Sequence, residues 1–128
     1  MIVKCKTNKL ATLPKRLQKF AFTQNEQGIL DLTPGKFYTV FGVRRSRNET
    51  FYLTLTDSIN TKLPWWMPGR LFSNPDTDPP QHWVRRRRRG WFHTDEILAP
   101  APYHGHENDV EDGTPAGYEA FEKMKQAL

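Results

Sequence analysis

Residues 33–72 read TPGKFYTVFGVRRSRNETFYLTLTDSINTKLPWWMPGRLF, and this segment contains two predicted strands joined by a short polar turn. Pro34-Gly35 favours a type II turn, because proline fixes the first central φ and glycine accepts a positive φ at the second position. The first strand follows over residues 36–44. Apolar residues fall on both of its faces, so we expect it to be central and covered on both sides. One face carries Phe37, Thr39, Phe41 and Val43, and the other carries Tyr38, Val40 and Gly42.

The second strand is predicted over residues 51–57. Its residues alternate in a period of two, which is typical of a strand with one core face and one wetter face. Residues 45–49 lie between the two strands and are short and polar, so an antiparallel hairpin is the expected connection. The alternating sets are Phe51, Leu53 and Leu55 on one side and Tyr52, Thr54 and Thr56 on the other.

Shorter elements are expected before this hairpin. Residues 1–6 predict a short strand with Val3 and Cys5 on its inner face. Residues 13–20 predict a helical turn, because Pro14 is well placed for a first helical position.

The region after the hairpin contains several breaks. Pro64 and Pro68 each remove a backbone donor, so an edge strand or an extended loop is expected between them. A further strand begins at residues 82–84, Gly90 gives a turn, and residues 91–93 give another short strand.

The last third of the chain is predicted to end in a helix. Residues 95–113 are rich in proline, glycine and acids and look irregular. Residues 114–128 form the helix, because Thr114 can cap it and Pro115 suits its first position. Its apolar face is expected to consist of Tyr118, Phe121, Met124 or Lys125, and Leu128.

The composition bounds the class of protein. The chain has 128 residues, which suits one domain over 1–128, mainly β, with about five short strands curled into a partly open antiparallel barrel. No apolar run approaches the ~20 residues of a membrane span, and the N-terminus lacks the shape of a signal peptide. With the single Cys5, these features predict a cytoplasmic protein.

The charge is strongly divided along the chain. The formal net charge is +5, but residues 1–94 hold seventeen basic and six acidic residues, whereas residues 95–128 hold eight acids and two lysines. The run from Arg85 to Arg89 is the strongest basic signal. It predicts a phosphate-binding stripe, a charged edge that prevents aggregation, or a docking patch for an acidic partner or for the acidic tail. The candidate nucleic-acid ligands are Arg44, Arg45, Arg47, Arg85, Arg86, Arg87, Arg88 and Arg89.

Two other groups are candidates for contact with a protein partner. Trp65-Trp66 precedes Met67, and tryptophan dominates binding hot spots. Neighbouring side chains of an extended segment face opposite sides, so we expect one of the two rings in the core and the other partly exposed. The alternative is that both rings are packed inside. The acids Glu107, Asp109, Glu111 and Asp112 either fold back over the arginines or stand apart and mimic phosphate in the basic cleft of a nuclease.

Catalytic and metal signatures are weak. His104-Gly105-His106 with Glu107 has a shape that could ligate a metal, but no further histidine or cysteine falls at a motif spacing. His93-Thr94-Asp95 lacks a nucleophile motif nearby. We therefore expect a protein that is not an enzyme and that needs no cofactor.

The series CKTN, GKFYTVFG, YLTL, PWWMPGRLF and a late DG before a charged helix resembles small bacterial SH3-like barrel proteins of toxin–immunity loci, including contact-dependent growth inhibition systems. The resemblance runs from Cys5 to Phe121, and the run Arg85 to Arg89 departs from it. It implies an SH3-like barrel that binds one cognate toxin and neutralises it by occluding the toxin's active site. The alternative is a small nucleic-acid-binding barrel that uses the arginine-rich strand.

Overall fold

A computed structural model describes residues 1–21, 27–59, 62–75, 77–89 and 94–128. Within these ranges, six antiparallel strands form one sheet in the order β4-β3-β2-β6-β5, and β1 pairs with the start of β2. The strands are β1 (Ile2–Lys4), β2 (Phe37–Ser46), β3 (Glu49–Thr54), β4 (Trp65–Pro68), β5 (Val84–Arg89) and β6 (Thr94–Ala99). The helices are α1 (Lys15–Gln18), α2 (Glu107–Asp112) and α3 (Pro115–Gln126), with 3-10 turns at Leu10–Thr12, Gly69–Leu71 and Ala101–Tyr103.

The central strand of the sheet is β2, as its sequence predicts. It pairs with β3 on one side and with β6 on the other, and its residues from Val40 to Arg44 are all buried. The register shifts between Val40 and Gly42, which marks a bulge. A side chain at Gly42 would lie 3.1 Å from Trp66 Cη2, so the small residue lets the indole of β4 pack against β2.

The hairpin between β2 and β3 is tighter than predicted. Ser46 pairs with Glu49, so Arg45 and Ser46 belong to β2, and only Arg47 and Asn48 form the turn. Arg47 has a left-handed φ of 55°, which suits a two-residue hairpin turn. The prediction that one face of β3 is exposed to solvent is wrong, because Tyr52 and Thr54 are buried along with Phe51 and Leu53.

The N-terminal elements agree with their predictions. Val3 and Cys5 are buried, and Leu17 of α1 is fully buried. Pro14 occupies the cap position just before α1 rather than its first helical position. The segment with two prolines forms the edge strand β4, since it pairs with β3 only in the described sheet.

The expectation that residues 95–113 are irregular is wrong. Thr94–Ala99 form β6, a strand that lies between β2 and β5, and Glu107–Asp112 form α2. The sequence conceals the strand because Asp95 is fully buried, where an apolar residue is expected. The turn predicted at Gly90 and the strand predicted at residues 91–93 lie outside the described residues.

The final helix begins as predicted, but its buried face is displaced by one position. Thr114 caps α3 by accepting a hydrogen bond from the Gly117 N–H at 3.2 Å. A Cβ at Gly117 would overlap the carbonyl oxygen of Asp109, so glycine permits the close packing of α3 on α2. The buried residues are Gly117, Ala120, Phe121 and Met124, whereas Tyr118 and Leu128 are exposed.

The prediction of a mainly β fold with an N-terminal helical turn and a C-terminal helix is confirmed, with six described strands in an open antiparallel sheet rather than about five. One buried apolar cluster draws residues from both ends of the chain, including Val3, Phe51, Tyr103 and Met124. Within the described ranges, no helix combines the length and the apolar character needed to cross a membrane.

Candidate functional site

A cavity of about 390 Å³ lies beside β4, between the end of α1 and the carboxyl end of α2. Aromatic rings supply much of its wall, two carboxylates come from α2, and Lys19 supplies an ammonium group. The charged and aromatic residues of the lining are Lys19, Phe20, Trp65, Trp66, Tyr103, Glu111, Asp112 and Tyr118. The cavity therefore joins an aromatic surface to a local acidic charge.

The two tryptophans of β4 behave as predicted. Consecutive residues of a strand point to opposite faces, so only one indole can enter the core. Trp66 is 6% exposed and packs edge-on against Tyr103, with ring centroids 5.9 Å apart, whereas Trp65 is 47% exposed. Trp65 is therefore the indole that a partner can reach, and Trp66 forms part of the cavity wall.

Met67 was predicted to contact a partner, and this is wrong. Its side chain is buried on β4, where it pairs with Tyr52 of β3. Trp66 is also too deeply buried to provide a large contact surface, so its role is to shape the wall. Of the three predicted residues on β4, Trp65 alone has an exposed side chain.

Tyr103 fixes the position of the Trp66 indole. The Trp66 Nε1–H donates a hydrogen bond to the Tyr103 hydroxyl oxygen at 3.1 Å. Burial raises the pKa of Tyr103 to about 12, so the hydroxyl stays neutral over the whole physiological range. A hydrogen bond between two aromatic side chains therefore holds this part of the cavity wall in place.

Arg44 lies behind this wall and is 1% exposed. Its guanidinium lies 5.9 Å from the Trp66 ring centroid, and its Nε donates to Asp95 Oδ2 at 2.7 Å. Ser46 also donates to the Asp95 carboxylate. The prediction that Arg44 binds nucleic acid is wrong, because a buried guanidinium held by a buried carboxylate cannot reach a phosphate.

The four predicted acids divide into two pairs. Glu111 and Asp112 line the cavity. Asp109 instead accepts a hydrogen bond from the Thr114 hydroxyl at 2.9 Å, and Glu107 accepts one from the Gly105 N–H at 3.1 Å. The latter two organise their own segment, so the acidic group is not one continuous patch.

The acidic segment also folds back toward the arginines, which was one of its two predicted arrangements. Arg88 donates to Asn108 Oδ1 of α2 at 2.7 Å, and its Nη1 lies 4.0 Å from Glu111 Oε1. Arg44 Nη1 lies 3.9 Å from the same oxygen. Glu111 therefore sits between the arginines and the cavity.

The predicted arginine stripe is the edge strand β5. Arg85 donates to Glu96 of β6 at 2.7 Å and is exposed like Arg86, Arg87 and Arg89, whereas Arg88 faces α2. Arg45 and Arg47 are exposed at the end of β2 and in the turn that follows it. The register places Arg45, Glu96 and Arg87 side by side across three strands, so an acid interrupts the basic surface.

The histidines near α2 have local partners. His104 Nε2 lies 2.7 Å from the Val84 carbonyl oxygen, and His106 Nδ1 lies 3.2 Å from Asp109 Oδ2. Among the residues that the structure describes, no group of three or more His, Cys, Asp or Glu side chains could hold a metal ion.

Sequence reasoning missed four of the eight charged and aromatic residues that line the cavity. Phe20 and Lys19 follow α1, Tyr103 belongs to a 3-10 turn, and Tyr118 was assigned to the buried face of α3. These residues are far from β4 in the sequence, and no motif connects them. Helical spacing offers one signal, because a face centred on Phe121 and Met124 leaves Tyr118 at its margin.

Comparisons with protein-family models, with curated proteins and with solved structures found no match for this chain. The resemblance to immunity proteins therefore stays a prediction.

Proposed function

We propose that this protein is a non-catalytic, cytoplasmic immunity protein that binds one toxin molecule and covers the toxin's active site. The observation that carries the proposal is the convergence of four predicted partner-binding residues, Trp65, Trp66, Glu111 and Asp112, on one cavity. The choice of a toxin as the partner rests on the resemblance described above.

The cavity has the properties of a binding hot spot. Hot spots combine a large aromatic side chain with a well-packed surround that excludes water. Trp65 supplies exposed aromatic area, while the hydrogen bond between Trp66 and Tyr103 holds the wall in place. A preformed wall reduces the entropy lost on binding, so one inserted side chain of the partner can contribute strongly to affinity.

Co-expression tests this proposal. The toxin encoded beside the gene should stop growth of cells that lack this protein, and the protein should restore growth. Trp65→Ala should abolish the rescue. The matched control is Phe37→Ala, because Phe37 is another exposed aromatic residue, 62% exposed, that does not line the cavity. Rescue that survives Trp65→Ala but fails with Phe37→Ala would place the contact elsewhere, and no protection against any neighbouring toxin would refute the proposal.

Nucleic-acid binding is a second candidate, because the exposed Arg85, Arg87 and Arg89 share one face of β5 and the register places the exposed Arg45 on the same face. Arg44 is not part of this candidate surface. If these four arginines bind single-stranded phosphates, the affinity should fall with salt with a logarithmic slope of about −3. Fluorescence anisotropy with a labelled oligonucleotide measures this slope. Absence of binding at low salt would exclude this function.

A further inference from the structure

We propose that the cavity beside β4 receives an arginine side chain of the partner protein, with its guanidinium between the aromatic wall and the carboxylates of Glu111 and Asp112. This inference rests on the proposed function, because it specifies the chemistry of the partner at the same site.

The aromatic wall suits a cation. The faces of tryptophan, tyrosine and phenylalanine carry a negative electrostatic potential that attracts cations within about 6 Å of the ring centroid. The molecule already uses this interaction at two of the lining rings. The Arg44 guanidinium lies 5.9 Å from the Trp66 centroid, and Lys19 Nζ lies 5.1 Å from the Phe20 centroid. Trp65 and Tyr118 add two exposed rings to the same cavity.

The local charge also favours a cation. Two carboxylates, Glu111 and Asp112, line the cavity together with one lysine. The carboxyl end of α2 lies at the same place, and helix carboxyl ends carry partial negative charge. The Tyr103 hydroxyl adds no charge, since burial raises its pKa to about 12. Arg44 and Arg88 offset part of the Glu111 charge, but within the lining itself the two carboxylates outnumber the one lysine, so a cationic side chain is favoured over an acidic one.

The carboxylates still have acceptor capacity. Glu111 Oε1 lies 3.9 Å from Arg44 Nη1 and 4.0 Å from Arg88 Nη1, which is ion-pair distance but longer than a hydrogen bond. Asp112 is exposed at the cavity rim. A guanidinium that enters the cavity can therefore donate to both carboxylates, which an arginine does through its planar array of N–H groups.

Arginine fits better than lysine for two reasons. Its flat guanidinium stacks on an indole face, whereas the ammonium of lysine is compact and strongly hydrated. Its five donors can also reach two separate carboxylates at once. The volume of about 390 Å³ accommodates the side chain and part of the backbone that carries it.

Short blocked peptides test the inference on the isolated protein. The probe is a tripeptide with a central arginine, and the matched peptides carry citrulline, which is neutral and nearly isosteric, or lysine. Titration calorimetry should show that the arginine peptide binds about tenfold more tightly than the citrulline peptide. Asp112→Asn should remove much of this difference. Lys19→Gln should strengthen arginine binding by about twofold to fivefold, because it removes a like charge.

Three further variants test whether the binding is specific to the cavity. Trp65→Phe should retain most of the binding, Trp65→Ala should lose it, and Phe37→Ala should bind like the wild type. Equal affinity for arginine and citrulline, or an unchanged affinity in Asp112→Asn, would overturn the inference. Equal affinity for lysine would overturn the assignment to arginine. Because the peptides are measured without a toxin, failure here with intact toxin neutralisation would leave the proposed function standing.

Discussion

The arginines of this protein occupy two contrasting settings in one sheet. Arg44 on the central strand β2 is fully buried and donates to the buried Asp95, while Arg86, Arg87 and Arg89 project from the edge strand β5 and are exposed. The side chain of Arg44 contacts Asp95 of β6, Trp66 of β4 and Glu111 of α2. The other arginines lie where a sheet ends, and their surroundings include water.

The difference shows that an arginine's role depends on its strand's place in the sheet. On β2, the partner of Arg44 is an acid that lies 51 positions later in the chain, and both side chains are removed from water. On β5, which is an edge strand of the described sheet, charged side chains disfavour pairing with another sheet. Buried arginine is therefore part of the fold, and exposed arginine is available for function.

The largest effect is expected when the buried ion pair between Arg44 and Asp95 is broken. Arg44→Met leaves the Asp95 carboxylate buried without its guanidinium and should lower the free energy of unfolding by about 3 to 5 kcal/mol. The exposed counterpart Arg87→Met should change it by less than about 0.5 kcal/mol. Urea unfolding followed by tryptophan fluorescence measures both values.

The double variant Arg44→Met with Asp95→Asn is the control for this comparison. It removes the buried charge together with its partner, so it should recover part of the lost stability. Equal stability of the Arg44 and Arg87 single variants would show that the buried ion pair does not distinguish the two settings.

Much of the sheet could be predicted from the sequence because β2, β3 and β4 follow local rules. The Pro-Gly turn, the alternating aromatic residues and the prolines just before and at the end of β4 each indicate a strand or its position. The strand β6 could not be predicted in this way. Asp95 occupies a core position of β6 because Arg44 compensates its charge, and this pairing depends on a contact between distant parts of the chain.

The candidate site was less predictable than the fold. Alternation along β4 predicts that one indole is exposed, and Trp65 confirms this. The remaining aromatic walls come from Phe20, Tyr103 and Tyr118, which meet only after the helices pack on the sheet. A cavity formed by distant segments leaves no spacing pattern in the sequence.

The next effect concerns binding and distinguishes the cavity from the arginine strand. Trp65→Ala should weaken binding to the toxin by about 30-fold or more, because hot-spot tryptophans contribute about 2 kcal/mol or more. Replacing Arg86, Arg87 and Arg89 together with glutamine should leave that affinity within about threefold. Surface plasmon resonance compares the two variants. The opposite ranking would identify β5 as the contact surface.

A smaller effect is expected at the cavity wall. Tyr103→Phe removes the oxygen that accepts the Trp66 N–H and leaves this buried donor without that partner. Stability should fall by about 1 to 2 kcal/mol, which is the usual cost of an unsatisfied buried group. Thermal unfolding measures the loss. This variant compares a neutral buried hydrogen bond with the buried ion pair of Arg44 and Asp95 beside it. If stability does not fall, the Trp66 N–H has found another acceptor.

The smallest effect on stability is expected at the partly exposed cluster of Glu49, Arg16 and Arg70. Glu49 accepts hydrogen bonds from Arg70 at 2.7 and 3.1 Å and from Arg16 at 2.6 Å, and its side chain is mostly buried while both arginines are about half exposed. The hydrogen bond from Arg70 is the main reason that the pKa of Glu49 lies below its usual value, despite partial burial. Because the folded-state pKa is the lower one, this contribution is complete above the unfolded pKa and is lost as the pH falls through the folded pKa.

We therefore expect the melting temperature to decline with acid below about pH 4.5, and Glu49→Gln to decline less steeply over the same range. At pH 7 the variant should be less stable by under about 1 kcal/mol, since the two arginines are half exposed and water screens the pair. Arg70→Gln should flatten the acid limb in the same way, because it removes the main cause of the lowered pKa. Thermal melts by circular dichroism between pH 3 and 7 give the profiles. If the melting temperatures of both variants fall with acid as steeply as that of the wild type, the Glu49 ion pairs contribute nothing measurable to stability. Glu49 would then resemble the exposed arginines of β5 rather than the buried pair of Arg44 and Asp95.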